Sequence, residues 1–215
     1  MLRVAADGAL DPFDAEVLST FARAQGLELR QRSGSVAAVA KGEAELAVGQ
    51  YADALATGLV ATHEVFPSRL VAVTRSPASR AVAIEALRWS KVGALRGSRA
   101  TLAVQESKIS GAELTEYGTV AAALSGLRGG EVASLLLELP DALLARKEDP
   151  KLELGMFLGG RRSRVYASRP ADKALLATLD EYLKSLRATA SWPAILSRAF
   201  GSGTFEVISS ARLID

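Results

Sequence analysis

The chain has 215 residues, 49% of them hydrophobic, with 26 Lys and Arg against 24 Asp and Glu and a formal net charge of +2. That size and apolar content exclude a disordered chain and allow one large domain or two small lobes with buried cores. The charges are scattered, with no long run of one sign, which excludes the clustered basic face that nucleic-acid binding needs.

There is no cysteine, so a disulfide framework, a thiolate metal site and a cysteine nucleophile are excluded. The single histidine, His63, makes a His-rich zinc site or a Ser-His-Asp triad hard to build, and its polar surroundings predict a surface residue. No cofactor is expected. No apolar run approaches the roughly 18 residues needed to span a bilayer, so direct membrane insertion is not expected. Asp7, Asp11, Asp14 and Glu16 make the opening residues unlike a signal peptide.

From the start of the chain, Leu2 to Ala6 is a short apolar run ended by Asp7-Gly8. Val17, Leu18, Phe21 and Ala22 form a helical stripe that Gly26 terminates. Residues 27–30 alternate as a strand, Val36 to Ala40 forms a short helix closed by Gly42, and residues 45–49 form a buried strand. Strands alternating with short helices predict βαβ units and a parallel sheet covered on its faces.

A strand over 70–74 leads into Arg75-Ser76-Pro77, a connector out of the first sheet. The pattern then restarts. Residues 92–95 are a strand, Arg96-Gly97-Ser98-Arg99 is a turn, and a helix is expected from about Ala100 to Ser107. A helix over 119–127, an apolar strand over 132–139, a helix opened by Pro140 and a strand over 152–157 follow. The helix, glycine turn and buried strand of 36–48 are echoed in 120–138, as two lobes of similar topology would produce. Residues 163–168 alternate as a strand, Pro170 and Asp172 suit a helix start, and Leu175, Leu176, Leu179, Tyr182, Leu183 and Leu186 form an amphipathic stripe. Ser191 is expected to cap a last short helix, which Gly201 ends, and 202–215 are expected to pack back as an extended tail.

In this order the chain resembles the type 2 periplasmic-binding-protein fold, and in particular the family 3 extracellular solute-binding proteins that often bind amino acids. Four segments carry the resemblance. Leu2-Arg3-Val4-Ala5-Ala6-Asp7-Gly8 is similar to the family's first strand and ligand-facing turn. Lys41-Gly42-Glu43-Ala44-Glu45-Leu46-Ala47-Val48-Gly49 is similar to its Gly-x-x-Asp-Leu-Ala-Ile-Gly segment. Val92-Gly93-Ala94-Leu95-Arg96-Gly97-Ser98 is similar to its Val-Gly-Val-x-x-Gly-Ser/Thr turn, and Tyr182 to Gly201 to its closing helices. The resemblance implies a two-lobed α/β architecture, each lobe a mainly parallel sheet flanked by helices. Lobe 1 would be residues 1–74 plus 168–215 and lobe 2 residues 78–164, with hinge crossings near 74–77 and 165–168. It also implies a ligand held at the carboxyl ends of the strands, between the lobes.

Arg96-Gly97-Ser98-Arg99 is the strongest local site signal. A strand ends, a glycine lets backbone approach a ligand, and a helix begins whose N–H groups favour a carboxylate or phosphate. Ser98 would add its hydroxyl and Arg99 its charge; the plain alternative makes Ser98 a helix cap and the arginines solvated. Glu138 closes an apolar strand, and the resemblance implies that it holds a ligand's ammonium group; a solvated strand end is the alternative. Asp7, Gln50 and Tyr51 follow the first and third strands and would line the other side, Tyr51 as a stacking platform or as a half-buried core residue. Asp11, Asp14 and Glu16 read as complements to a helix dipole.

Two departures from the family stand out. Thr57 occupies the place of an arginine that clamps the ligand's carboxylate, and the family's hairpin after Asp7-Gly8, which brings an aromatic to the ligand, is deleted. An ordinary α-amino acid bound in the usual way is therefore not expected, and Arg69, Arg99, Arg161 or Arg162 would supply charge instead. The leading expectation is a monomeric, non-catalytic solute-binding protein, periplasmic or extracytoplasmic after removal of a signal peptide. It would capture a small-molecule ligand, amino-acid-like or carboxylate, for a membrane transporter permease or a sensor. The alternatives are a degenerate domain that binds a protein partner, a cyclohexadienyl-dehydratase-like enzyme using Glu138, or the effector domain of a LysR-type regulator.

Overall fold

The computed structural model describes residues 1–78, 80–106 and 111–213. Two compact units emerge, Met1–Pro67 with Arg162–Arg212, and Ser68–Arg161. The chain leaves the first unit within one long strand and returns to it within another.

In the first unit, β1 (Leu2–Ala6) lies between β2 (Leu29–Ser33) and β3 (Leu46–Gln50), parallel to both. Leu2, Val4, Ala5 and Ala6 are all buried, as a strand covered on both faces requires. The polar Arg30, Gln31, Arg32 and Ser33 are exposed, which suits β2 to the sheet edge. Helix α1 (Pro12–Ala24) joins β1 to β2, and α2 (Val36–Ala40) joins β2 to β3. The third strand is bordered by the antiparallel end of β9 (Leu152–Ser168). Next come α3 (Tyr51–Ala56) and the two-residue β4 (Val60–Ala61), which also pairs β9.

The strand expected over 27–30 starts two residues later. Gly26, at φ +66°, ends α1, and the Leu27 N–H bonds back to the Ala22 carbonyl at 2.8 Å while the Gly26 N–H reaches Arg23 at 3.0 Å. Those two bonds form a Schellman motif, which commits Leu27 to the helix terminus.

The second unit repeats the plan. Strands β6 (Lys91–Leu95), β7 (Glu113–Tyr117) and β8 (Ser134–Glu138) are joined by α4 (Arg99–Glu106) and α5 (Val120–Gly129), with β6 between β7 and β8 and parallel to both. Here β5 (Phe66–Arg75) is the antiparallel neighbour of β8. The echo between 36–48 and 120–138 is thus one βαβαβ topology used twice. After β8, α6 (Leu139–Glu148) leads into β9. The end of the expected α4 helix, Ser107, lies outside the described residues.

Several expectations are corrected. Residues 152–157 and 163–168 belong to one 17-residue strand, β9, instead of two. Strand β7 went unread because Glu113, Thr115 and Glu116 interrupt any apolar pattern; it is the edge strand of its sheet. The amphipathic stripe forms α7 (Lys173–Arg187), followed by α8 (Ser191–Phe200), which has no side-chain cap: the Ser191 N–H instead reaches the Thr189 hydroxyl at 3.3 Å. The tail is not extended. It forms α9 (Thr204–Leu213), which buries Ile208 and Ala211, and Arg212 reaches Glu64 at 3.1 Å. Residues 214–215 lie outside the described residues.

Candidate functional site

In the second unit, the chain leaves β6 at Leu95 and turns at Gly97, whose φ of +66° is one that only glycine adopts freely. A Cβ there would meet no atom within 4 Å, so conformation and not space requires the glycine. The Ser98 N–H closes the turn on the Leu95 carbonyl at 3.0 Å, and Thr101 reaches the same carbonyl at 3.1 Å. The Ser98 hydroxyl oxygen is buried and has no hydrogen-bond partner among the described residues, so it does not cap α4. A buried polar atom left in this state calls for an explanation.

Arg99 and Glu138, expected to act separately, meet. The Arg99 guanidinium donates from Nε to Glu138 Oε1 at 3.1 Å and from Nη2 to Oε2 at 3.0 Å, a two-point ion pair. Parallel pairing of β6 with β8 brings their carboxyl ends together and makes this contact possible. The Ser68 hydroxyl adds a bond to Glu138 Oε2 at 3.1 Å, and Arg99 Nη1 reaches the Gly160 carbonyl at 3.4 Å. The pair is sheltered but not sealed, with Arg99 at 15% and Glu138 at 35% side-chain exposure. Nearby in sequence, Arg69 is buried and lies over the Phe157 ring, its guanidinium carbon 5.5 Å from the centroid. The side chain of Arg161 lies outside the described residues.

In the first unit, Asp7 is exposed at the end of β1. The loop behind it is laced by Gln31, which donates to the Gly8 carbonyl at 2.6 Å and accepts from the Leu10 N–H at 3.2 Å. Gln50 ends β3, and Tyr51 opens α3 with 45% exposure, so Tyr51 is not a core residue. Thr57 turns its hydroxyl back onto the Asp53 and Ala54 carbonyls, at 3.0 and 2.9 Å, and finishes α3. His63 is on the surface, where its Nδ1 lies 2.5 Å from Asp180.

Sequence reading missed Arg164. It stands opposite Gln50 in the β3–β9 register and ion-pairs with Asp11, at 2.6 Å, and with Asp14. Asp14 is completely buried, and the buried Tyr166 hydroxyl donates to it at 2.7 Å. Burial pushes the Tyr166 hydroxyl far above its ordinary range. Asp14 is therefore a buried counter-ion and not simply a complement to the helix dipole, whereas Asp11 does cap α1 through the Asp14 N–H at 2.9 Å. Among the described residues no cluster of three or more His, Cys, Asp or Glu is arranged for a metal ion, and no helix is long and apolar enough to cross a membrane.

No protein-family model and no curated protein matches the sequence. Solved structures do match the fold. An ancestral cationic amino acid solute-binding protein superposes with a TM-score of 0.82 at 15% identity, over 93% of this chain and 95% of that one. The second substrate-binding domain of Lactococcus lactis GlnP, in an open conformation, gives 0.78 at 19% identity over 94% and 95%. A mutant of ArgBP from T. maritima gives 0.69 at 16% over 94% and 95%. Likeness at that level of identity speaks for architecture, and it is architecture that the strand order and repeated βαβαβ units had already outlined: this chain has the type 2 periplasmic-binding-protein fold.

Proposed function

We propose that this chain is an extracytoplasmic solute-binding domain that captures a small polar or charged metabolite and serves an ABC-type transporter or a sensor. The observation that carries the reading is the meeting of Gly97, Ser98, Arg99 and Glu138 at the carboxyl ends of β6 and β8, with the Ser98 hydroxyl buried and unpartnered. Ligands of open α/β sheets collect at such strand ends, next to a helix start whose N–H groups favour anions. The fold likeness supports the same reading, because the matched proteins are described as substrate- or solute-binding, for amino acids or arginine. Asp7, Gln50 and Tyr51 are proposed to contribute from the ends of β1 and β3. A permease is the proposed partner, a monomer the proposed state, and no catalytic role is assigned to Glu138.

Two observations favour a second reading, a domain that has kept the fold and binds a protein partner. Thr57 spends its hydroxyl inside its own helix, and the Glu138 carboxylate is already paired with Arg99. Isothermal titration with amino acids, small carboxylates and polyamines separates the two. Saturable one-to-one binding supports the solute receptor; absence of any saturable heat favours the partner-binding domain.

A further inference from the structure

We infer that the ligand carries a carboxylate but no free ammonium group, and that the Arg99–Glu138 pair sets this preference. The inference rests on the solute-binding reading and names the ligand class for its strand-end site. A carboxylate free at the end of β8 would be a receptor for a cation. Glu138 is not free in that sense. Both of its oxygens face the guanidinium of Arg99, and Oε2 also accepts from Ser68. Its negative charge is matched inside the unit, and an incoming ammonium would have to displace the guanidinium or lie against it, cation to cation.

The surplus capacity at this place is for an anion. A guanidinium has five N–H donors. Three are engaged, two by Glu138 and one, at the long distance of 3.4 Å, by the Gly160 carbonyl. Five less three leaves two N–H groups of Arg99 with no partner among the described residues. The Ser98 hydroxyl, buried and unpartnered on the residue before Arg99, adds a further donor, and the start of α4 adds its positive end. Donors therefore outnumber available acceptors where β6 and β8 end. A carboxylate fits that balance and an ammonium does not.

Matched pairs that differ only in the amino group test the inference directly: L-glutamate against glutarate, L-aspartate against succinate, L-leucine against 4-methylpentanoate, and L-phenylalanine against 3-phenylpropanoate. In isothermal titration, at least one desamino acid is expected to bind about tenfold or more tightly than its amino acid, the size of one charge-assisted hydrogen bond. Tighter binding of the amino acids overturns the inference and leaves the solute-binding reading standing. Silence from every member of the panel overturns both. The Glu138→Gln variant adds a sign test. Removing the counter-charge frees Arg99, so affinity for the preferred carboxylate rises several-fold; an unchanged or weaker affinity contradicts the assignment. If that variant does not fold, Arg99→Met gives the reciprocal reading, losing about tenfold or more for the carboxylate. Undiminished carboxylate binding by Arg99→Met overturns the inference.

Discussion

Arg164 of β9 is ion-paired with Asp14 of α1, and Tyr166, two residues further along the same strand, donates its hydroxyl to the other Asp14 oxygen at 2.7 Å. Asp14 has no solvent exposure and Arg164 has 15%. The arrangement ties the first helix to the returning strand with a charge that water cannot reach. Removing Asp14 takes away the buried half of this pair and the acceptor of the Tyr166 hydroxyl while Arg164 keeps Asp11, so Asp14→Ala is expected to cost about 3 kcal/mol in urea unfolding, the low end for breaking a buried pair. Tyr166→Phe keeps the ion pair and loses one bond, so it should cost about 1–3 kcal/mol. Equal costs for the two variants would show that the charge is not what matters.

Gly155 lies in β9 where a Cβ would come within 2.0 Å of the Ala81 carbonyl oxygen. That oxygen cannot easily yield, because it accepts the Met156 N–H at 2.7 Å. Gly155→Ala should therefore destabilise the protein by about 1–3 kcal/mol, the range for overpacking a close-packed site. At Gly97 no atom stands near the missing Cβ, and the cost of Gly97→Ala should come from its positive φ alone, about 1 kcal/mol. Midpoints of denaturant curves at constant slope check both.

Stability should fall at both ends of the pH scale for separable reasons. Hydrogen bonds from Arg3 hold the Glu45 carboxyl below its usual range, against a smaller opposing effect of burial. A carboxyl with a lowered folded-state value stabilises the fold above its unfolded pKa of about 4.3, and that contribution is lost as pH drops through the folded value. At the alkaline end, burial raises Tyr166, with Arg164 acting the other way. Its contribution is complete below the unfolded tyrosine value of about 10 and declines above it, since the unfolded chain then releases a proton that the fold retains. Thermal unfolding across pH should show both flanks. The Arg3→Met variant should lose part of the acid flank, and Tyr166→Phe part of the alkaline one.

The Ser98 hydroxyl makes no bond to the described residues, which separates its effects on stability and on binding. A side-chain cap would be worth about 1 kcal/mol to its helix. Ser98→Ala should instead leave stability within about 0.5 kcal/mol and weaken carboxylate binding about tenfold. A loss of stability without a loss of affinity would make the residue structural.

The fold was legible in the sequence to the extent that its elements declare themselves locally. Apolar runs such as Leu2 to Ala6 announce buried strands, and the leucines of α7 announce one helical face. Strand β7 and helix α9 escaped because their residues are mixed: Glu113 and Glu116 sit on an edge strand, and Ile208 and Ala211 are buried in a segment with several polar residues. The site divides in the same way. Arg99 and Glu138 each stood out from their place after a strand, but their pairing joins residues 39 apart and depends on the β6–β8 register. Arg164 gave no signal at all, since its partner Asp14 is 150 residues away.

The central claim, capture of a small solute, is tested most directly by a thermal-shift screen of the purified chain. The panel would contain amino acids, small carboxylates, polyamines and phosphorylated metabolites. A ligand at about 100 times its dissociation constant stabilises the native state by about 2.7 kcal/mol, which raises the melting temperature by several degrees. The account predicts such a shift from one or a few related carboxylates. Uniform absence of a shift across the panel would contradict it and favour a domain that binds a protein partner.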